Sequence, residues 1–459
     1  MSTTIASHIF KAYDIRGIVG EDLTPDCVYL IGKAIGSAAR QAGDTHIVVG
    51  RDGRLSGPGI TSALCEGLVE TGINVIDIGM APTPLVYFAN HWLKTGASVA
   101  VTGSHNPPDY NGFKVMIQGD TLHGDAITSL YDRIIDANFV TGEGSVEIRD
   151  LSTEYMDTIA ADISIEKPLK IVMDCGNGVA GAIAPQLYRQ CGVEVVELYC
   201  EVDGTFPNHH PDPVDEKNLI ELKAAVVENN ADFGIAFDGD GDRLGVVTRE
   251  GETIWPDRQM ILFSEDCLSR NPGAEIIFDV KCTQNLAKAI TRAGGKPTMY
   301  KTGHSLIKAR LKQSDAVLAG EMSGHIFFKE RWYGFDDGLY SGLRLCEIIA
   351  SKSQSASTIF AALPNSIITP ELRLELTEGE AAPLINDLQQ QAEFEQAVVS
   401  NIDGLRVDWD FGFGLSRASN TTPTVIIRFE ADSEENLHHI QEAFRNLYQK
   451  VRPGLDLPF

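Results

Sequence analysis

Apolar residues fall in short, nearly continuous runs separated by stretches of helical composition, and one set of three runs recurs three times along the chain. The first run of each copy covers residues 46–52 (HIVVGRD), 171–177 (IVMDCGN) or 276–282 (IIFDVKC). The second opens on glycine: GINVIDIG from Gly72, GVEVVELY from Gly192, GGKPTMYKTG from Gly294. The third is ASVAVTGSHN from Ala97, ADFGIAFDGDGD from Ala231 or DAVLAGEMSGH from Asp315. Short apolar strands alternating with helical segments predict parallel-type sheets with helices on their faces. In such sheets, ligands bind beyond the carboxyl ends of the strands. Each third strand runs straight into a polar, glycine-rich segment, so three similarly built sites are expected to converge on one cleft.

The last ninety or so residues follow a different pattern. Residues 425–429 (VIIRF) predict a strand. The helix after it is expected to open at Asp432, with Glu435 three residues later as in a capping box. Leu437, Ile440, Phe444, Leu447 and Val451 step by three and four residues, which puts them on one helical face. The chain therefore reads as α/β: three similar mixed α/β domains with parallel-type sheets, plus a smaller C-terminal α+β domain, around a central cleft. The expected boundaries are 1–150, 151–255, 256–365 and 366–459.

Composition narrows the function. Of 459 residues, 43% are hydrophobic and 22% charged, enough for every domain to bury a core. Lys and Arg number 38 against 64 Asp and Glu, a formal charge of −26. That excludes a surface built to attract nucleic acid or an anionic membrane, but leaves room for a local anion site inside a cleft. The N-terminal stretch lacks a basic start with an apolar core, and no run of about 18 apolar residues occurs. The expected location is cytoplasmic. Eight scattered cysteines without a C-x-x-C argue against a disulfide framework or a zinc cluster.

Four segments could carry chemistry. In TGSHNP (102–107), Ser104 sits at a strand end, where a hydroxyl could act as nucleophile or phosphate carrier. Taken alone, the segment fits a polar turn as well. DGDGDR (238–243) sets three carboxylates at alternate positions, separated only by glycine. Their repulsion calls for a hard divalent cation such as Mg²⁺. In GEMSGH (320–325), Glu321, Ser323 and His325 offer mixed donors and acceptors suited to sugar hydroxyls, although a capped turn has the same composition. RASNTTPT (417–424) supplies an arginine fork, hydroxyls and backbone N–H groups suited to a phosphate dianion, or forms an ordinary polar loop. The literal G-x-G-x-x-G at 176–181, with Glu194 and Glu197 about twenty residues on, raises an NAD-binding alternative. It occurs in only one of the three copies, which argues against it. His209 and His210, in PNHHPDP, are read as structural: neighbouring histidines in a proline-rich loop point apart, and no third ligand is indicated.

In order and spacing these segments, with FKAYDIRG near the start, resemble the α-D-phosphohexomutase family, most closely its bacterial phosphomannomutase/phosphoglucomutase branch. The match runs from Phe10 to the C-terminus. The resemblance implies four domains and a monomer that interconverts hexose 1-phosphates and 6-phosphates of mannose and glucose through a phosphoserine and a hexose 1,6-bisphosphate. It implies that Ser104 is phosphorylated and that Asp238, Asp240 and Asp242 bind Mg²⁺ together with an oxygen on Ser104. Arg16, Lys114 and Arg243 would surround the transferring phosphoryl, with Lys114 or His325 moving the proton. Glu321 and Ser323 would hold sugar hydroxyls, with His304 and His325 lining the same pocket. Arg417, Ser419, Asn420 and Thr421 would grip the other phosphate, and Tyr13 and Lys281 would face the ligand. Met322 stands where the phosphoglucosamine branch has Gln, which points to acceptance of both glucose and mannose. Gly103 replaces an alanine common in the family. A serine-dependent sugar phosphatase, with water taking the phosphoryl, would use the same parts.

Overall fold

The structure, a computed structural model, describes residues 5–419 and 422–459. The threefold repeat becomes three sheets wired alike. In the first, the central strand His46–Arg51 pairs in parallel with Asn74–Met80 on one side and Gly96–Val101 on the other. Lys170–Asp174 does the same with Glu194–Leu198 and Phe233–Phe237. Glu275–Asp279 repeats the arrangement with Lys296–Tyr300 and Leu318–Gly320.

One feature of each sheet was not predicted. After the polar loop, the chain returns antiparallel beside the third strand, as Tyr110–Ile117, Leu244–Thr248 and Ile326–Phe328. Each polar loop is therefore the tip of a hairpin within its own sheet. Phe113 and Val115, or Val246 and Val247, are buried like the neighbouring parallel strands. An apolar run of this kind does not encode its direction.

Local sequence sets the surrounding helices. Pro25–Ala42 starts where the Thr24 hydroxyl accepts from Cys27 N, and ends at Gly43 in the left-handed region (φ 101°). Its face of Val28, Ile31, Ile35 and Ala39 is buried against the first sheet's core. The larger core runs unbroken through the first three units. Phe88 stacks on Trp332, which stacks on Tyr340, with Tyr155 edge-on to Phe88. Beneath these rings Asp337 accepts from Tyr340 N, the Tyr155 hydroxyl and Trp332 Nε1. Burial pushes its carboxyl up to about 7, against the pull of those donors. The shared core fixes the three loops relative to one another.

The C-terminal unit is an antiparallel sheet in the order Ile367–Ile368, Thr424–Ala431, Gly412–Ala418, Leu405–Trp409, Val398–Ser400, with Leu372–Glu375 also paired to Thr424–Ala431. Leu437, Ile440, Phe444 and Leu447 of the helix Glu434–Val451 are buried on it, as the spacing predicts. The cap differs by one residue: the Ser433 hydroxyl accepts from Asn436 N, while Asp432 bonds the Asn436 side chain. Serine and aspartate cap about equally well, so composition alone could not choose between them. The unit docks on the third domain through Arg406, which donates to Val280 O and Cys282 O, and through the buried Thr283–Glu430 bond. Among the described residues, no helix is long and apolar enough to cross a membrane.

Candidate functional site

The tip of the first hairpin holds Ser104 buried and in the left-handed region (φ 50°), unusual for a residue with a side chain. Its N–H donates to Thr102 Oγ1 at 2.7 Å. Its carbonyl accepts from the buried Arg54, whose guanidinium also reaches the carbonyls of Asn106, Pro107 and Tyr110. Asp52 closes this support by accepting from Arg54 Nε, Thr102 Oγ1 and Gly103 N. Gly103 has a reason within this chain, because a Cβ there would lie 2.3 Å from the Arg54 guanidinium carbon. Sequence reasoning missed Asp52 and Arg54. Only Asp52 had a signal there: like Asp174 and Asp279, it closes the apolar stretch of the first run of its repeat.

Held this way, the Ser104 hydroxyl donates to Asp238 Oδ2 at 3.3 Å. Asp238 also organises its own loop, accepting from Asp242 N and Arg243 N through Oδ1. The alternating glycines have steric causes. A Cβ on Gly239 would stand 2.4 Å from Ser104 O, and Gly241 adopts φ 78°. Gly239→Ala is therefore expected to push the acidic loop away from Ser104 while the sheet stays intact. Displacements of about 1 Å cost on the order of 10²-fold in rate. Steady-state kinetics alongside a thermal melt would show kcat falling by about that factor, and a variant with parental kcat would refute the steric argument.

Asp238, Asp240 and Asp242 are fully buried, with carboxylate oxygens within 4.8 Å of one another. Lys114, from the return strand of the first hairpin, reaches between two of them, 2.7 Å from Asp240 and 2.5 Å from Asp242. Thr83 Oγ1 adds a bond to Asp240. One lysine does not balance three acids. Burial, Asp242 and Asp240 together push Asp238 well above the usual carboxylate range. Burial also opposes charge on Asp242, but Lys114 and His325 hold it well below that range. Burial likewise disfavours the Lys114 ammonium, yet Asp240 and Asp242 outweigh it and keep the proton on. Asp240 Oδ1 is buried without a hydrogen-bond donor among the described residues. Three carboxylates drawn together and a carboxylate oxygen lacking a donor fit a divalent cation, which prefers hard oxygen ligands.

Arg243 lies against the same cluster, 3.8 Å from Asp238, 3.6 Å from Asp212 and 3.4 Å from His325 Nε2. Arg16 bonds Asp14 and the Asn106 side chain, which sets it beside the serine loop. The third hairpin joins through His325, whose Nε2 is 3.2 Å from Asp242 and whose Nδ1 meets Ser323 Oγ at 2.9 Å and Glu321 at 3.3 Å. Burial would lower the His325 pKa, but Asp242 and Glu321 lift it to about 9. His304 has the opposite fate. Burial, Lys308 and His325 hold it well below the usual range, so it is neutral beside a charged partner whose ring centroid is 5.4 Å away.

Glu321 Oε1 accepts from Gly303 N, and the Tyr13 hydroxyl donates to Thr302 O, closing this side of the cleft. Arg417 of the C-terminal unit pairs with Asp403, which also accepts from Thr302 N. The Ser419 hydroxyl accepts from Thr422 N, and Lys281 lies 3.8 Å from Glu371. Asn420 and Thr421 lie outside the described residues. Contacts thus link Ser104, the acidic loop, the third hairpin and Arg417 across four units. The glycines of residues 176–181 serve packing instead: Gly178 abuts Gly239 and Gly181 abuts the Cys200 backbone. This close packing accounts for both glycines without a pyrophosphate, which argues against the NAD alternative.

Models of the phosphoglucomutase/phosphomannomutase family match in four consecutive stretches: alpha/beta/alpha domain I over residues 7–140, domain II over 153–251, domain III over 255–367 and the C-terminal domain over 371–447. The chain is 52% identical to a phosphomannomutase/phosphoglucomutase of Pseudomonas aeruginosa over 456 residues, covering 99% of this chain and 98% of that one. It is 53% identical to a phosphoglucomutase of Neisseria meningitidis over 458 residues, covering 99% of each. A crystal structure of a phosphoglucomutase/phosphomannomutase family protein from Burkholderia thailandensis superposes with a TM-score of 0.96 at 52% identity, covering 99% of this chain and all of that one.

Proposed function

The chain belongs to the phosphoglucomutase/phosphomannomutase family, and from that premise we propose how its residues divide the work of phosphoryl transfer. It is a phosphohexomutase, interconverting the 1-phosphates and 6-phosphates of glucose and mannose. Ser104 carries the phosphoryl group. The observation behind this assignment is its hydroxyl, fixed 3.3 Å from Asp238 at the meeting point of Lys114, Arg243 and three buried acids.

Asp238, Asp240 and Asp242, with an oxygen on Ser104, would hold Mg²⁺. When bound, that ion offsets charge on the transferring phosphoryl and the leaving serine oxygen. Phosphorylated Ser104 gives its phosphoryl to the free hydroxyl of a hexose monophosphate, and the hexose 1,6-bisphosphate results. The bisphosphate turns over and returns its other phosphoryl to Ser104. Arg243, Lys114 and Arg16 steady the group in flight, a task of positioning and charge rather than covalent chemistry. Lys114 and His325 both hold their protons here, which suits them to donate to oxyanions. Glu321 and Ser323 take sugar hydroxyls, with His304, Tyr13 and Lys281 along the same wall. Arg417 and Ser419, with Asn420 and Thr421 beside them, grip the phosphate at rest.

The decisive assay supplies glucose 1-phosphate and mannose 1-phosphate separately, with Mg²⁺ and a trace of glucose 1,6-bisphosphate. Both should yield 6-phosphates without net release of inorganic phosphate; release without isomerisation would instead make the protein a phosphatase. Arg417→Met should raise KM for either substrate about tenfold or more, because a charge-assisted bond is worth about 1.5–3 kcal/mol. The smaller change should fall on kcat. An unchanged KM would remove Arg417 from the phosphate grip.

A further inference from the structure

The adjacent histidines of residues 207–212 take no part in the chemistry above. As expected of neighbours, they point apart. His209 Nε2 meets Asp174 at 3.0 Å, and its ring lies edge-on to Tyr199. His210 turns the other way, toward the first unit, where its ring lies 6.5 Å from that of His105. Asp212 completes the group, 3.2 Å from His105 Nδ1. The third ligand that the local sequence lacked thus comes from another domain, one residue beyond Ser104. Donor atoms of His105, His210 and Asp212 all lie within 4.8 Å of one another.

Two ligands at about 2.0–2.1 Å from a tetrahedral ion lie about 3.3 Å apart. The His105–Asp212 edge already has that length, and His210 needs only a side-chain adjustment. Two imidazoles and one carboxylate form the ligand set of open zinc sites. Imidazole favours Zn²⁺ or Co²⁺, whereas Mg²⁺ favours an all-oxygen set such as the aspartate cluster. The His105 side chain is 32% exposed and that of Asp212 14%, so an ion can enter and keep solvent as a further ligand.

We propose that His105, His210 and Asp212 form a second metal site, selective for Zn²⁺-like ions over Mg²⁺, that ties the serine loop to the second domain. Its consequence is inhibition. Asp212 also faces Arg243 at 3.6 Å, so a bound ion draws that carboxylate away from Arg243, repels the guanidinium and immobilises the residue next to Ser104.

Binding is tested on the full chain in saturating MgCl₂ by titration with Co²⁺. One equivalent should bind with the intense visible absorption of four-coordinate cobalt, and Zn²⁺ should displace it. His210→Ala should weaken that binding by more than about tenfold, the scale on which even outer-shell losses act, and should leave turnover in Mg²⁺ alone unchanged. His210→Gln, which keeps most of the side-chain volume, should behave alike. Zn²⁺ at site-filling concentrations should slow the parent enzyme and spare both variants. Absence of the cobalt band in excess Mg²⁺, or a band of parental affinity in both variants, overturns the proposal.

Discussion

Ser104→Ala is expected to lower kcat on glucose 1-phosphate by about 10⁴-fold or more, the scale on which enzymes lose activity with their nucleophile. The structure separates this loss from any loss of fold. The serine loop is held through backbone groups, by Arg54 on the Ser104 carbonyl and Thr102 on its N–H, and alanine offers both. Asp238 loses one hydroxyl donor but keeps two backbone N–H donors. Stability should therefore change by about 1 kcal/mol or less, the net worth of one hydrogen bond. Intact mass after incubation with glucose 1,6-bisphosphate should show one added phosphate on the parent chain and none on the variant. A variant that still takes up phosphate, or turns over within tenfold of the parent, would remove Ser104 from its assigned role.

The second large effect concerns Lys114. Its ammonium is the closest cation to two of three buried carboxylates, and removing one partner of a buried ion pair costs about 3–5 kcal/mol. Lys114→Met, which preserves the apolar stem, should unfold at distinctly lower denaturant concentration than the parent when both are kept in EDTA. Mg²⁺ should then stabilise the variant more than the parent, because its charge fills a deficit that lysine otherwise covers. Saturation at about 100 times Kd contributes about 2.7 kcal/mol. Turnover should remain low even with Mg²⁺, since the ion does not replace a donor to the phosphoryl oxygens. Equal stabilisation of both proteins by Mg²⁺ would show that lysine and metal do not share the aspartates.

These effects depend on groups that differ in how visible they are in the sequence. Ser104, Asp238 and Glu321 stand out because each follows the third apolar run of a repeat, and a periodic pattern exposes what interrupts it. The buried face of the last helix is visible for the same reason. Arg54 is not. Its function is to hold four carbonyls of a loop some fifty residues away, and no local spacing announces a long-range contact to backbone. Asp403 is hidden likewise, since it links Arg417 to Thr302 N across a domain boundary. The return strands were missed because burial on both faces erases the alternation that would distinguish them from helix or parallel strand.

Those return strands have a thermodynamic consequence. A loop entered and left by paired strands of one sheet is ordered when the chain folds, and its conformational entropy is lost then. For Ser104, the three aspartates and Glu321, all buried before any ligand arrives, a sugar phosphate finds few rotamers left to freeze. Immobilising such side chains on binding would cost about 0.5–1.5 kcal/mol each. With that cost already met, the affinity available from phosphate contacts can go into holding a bisphosphate long enough to turn over rather than into assembling the site around it.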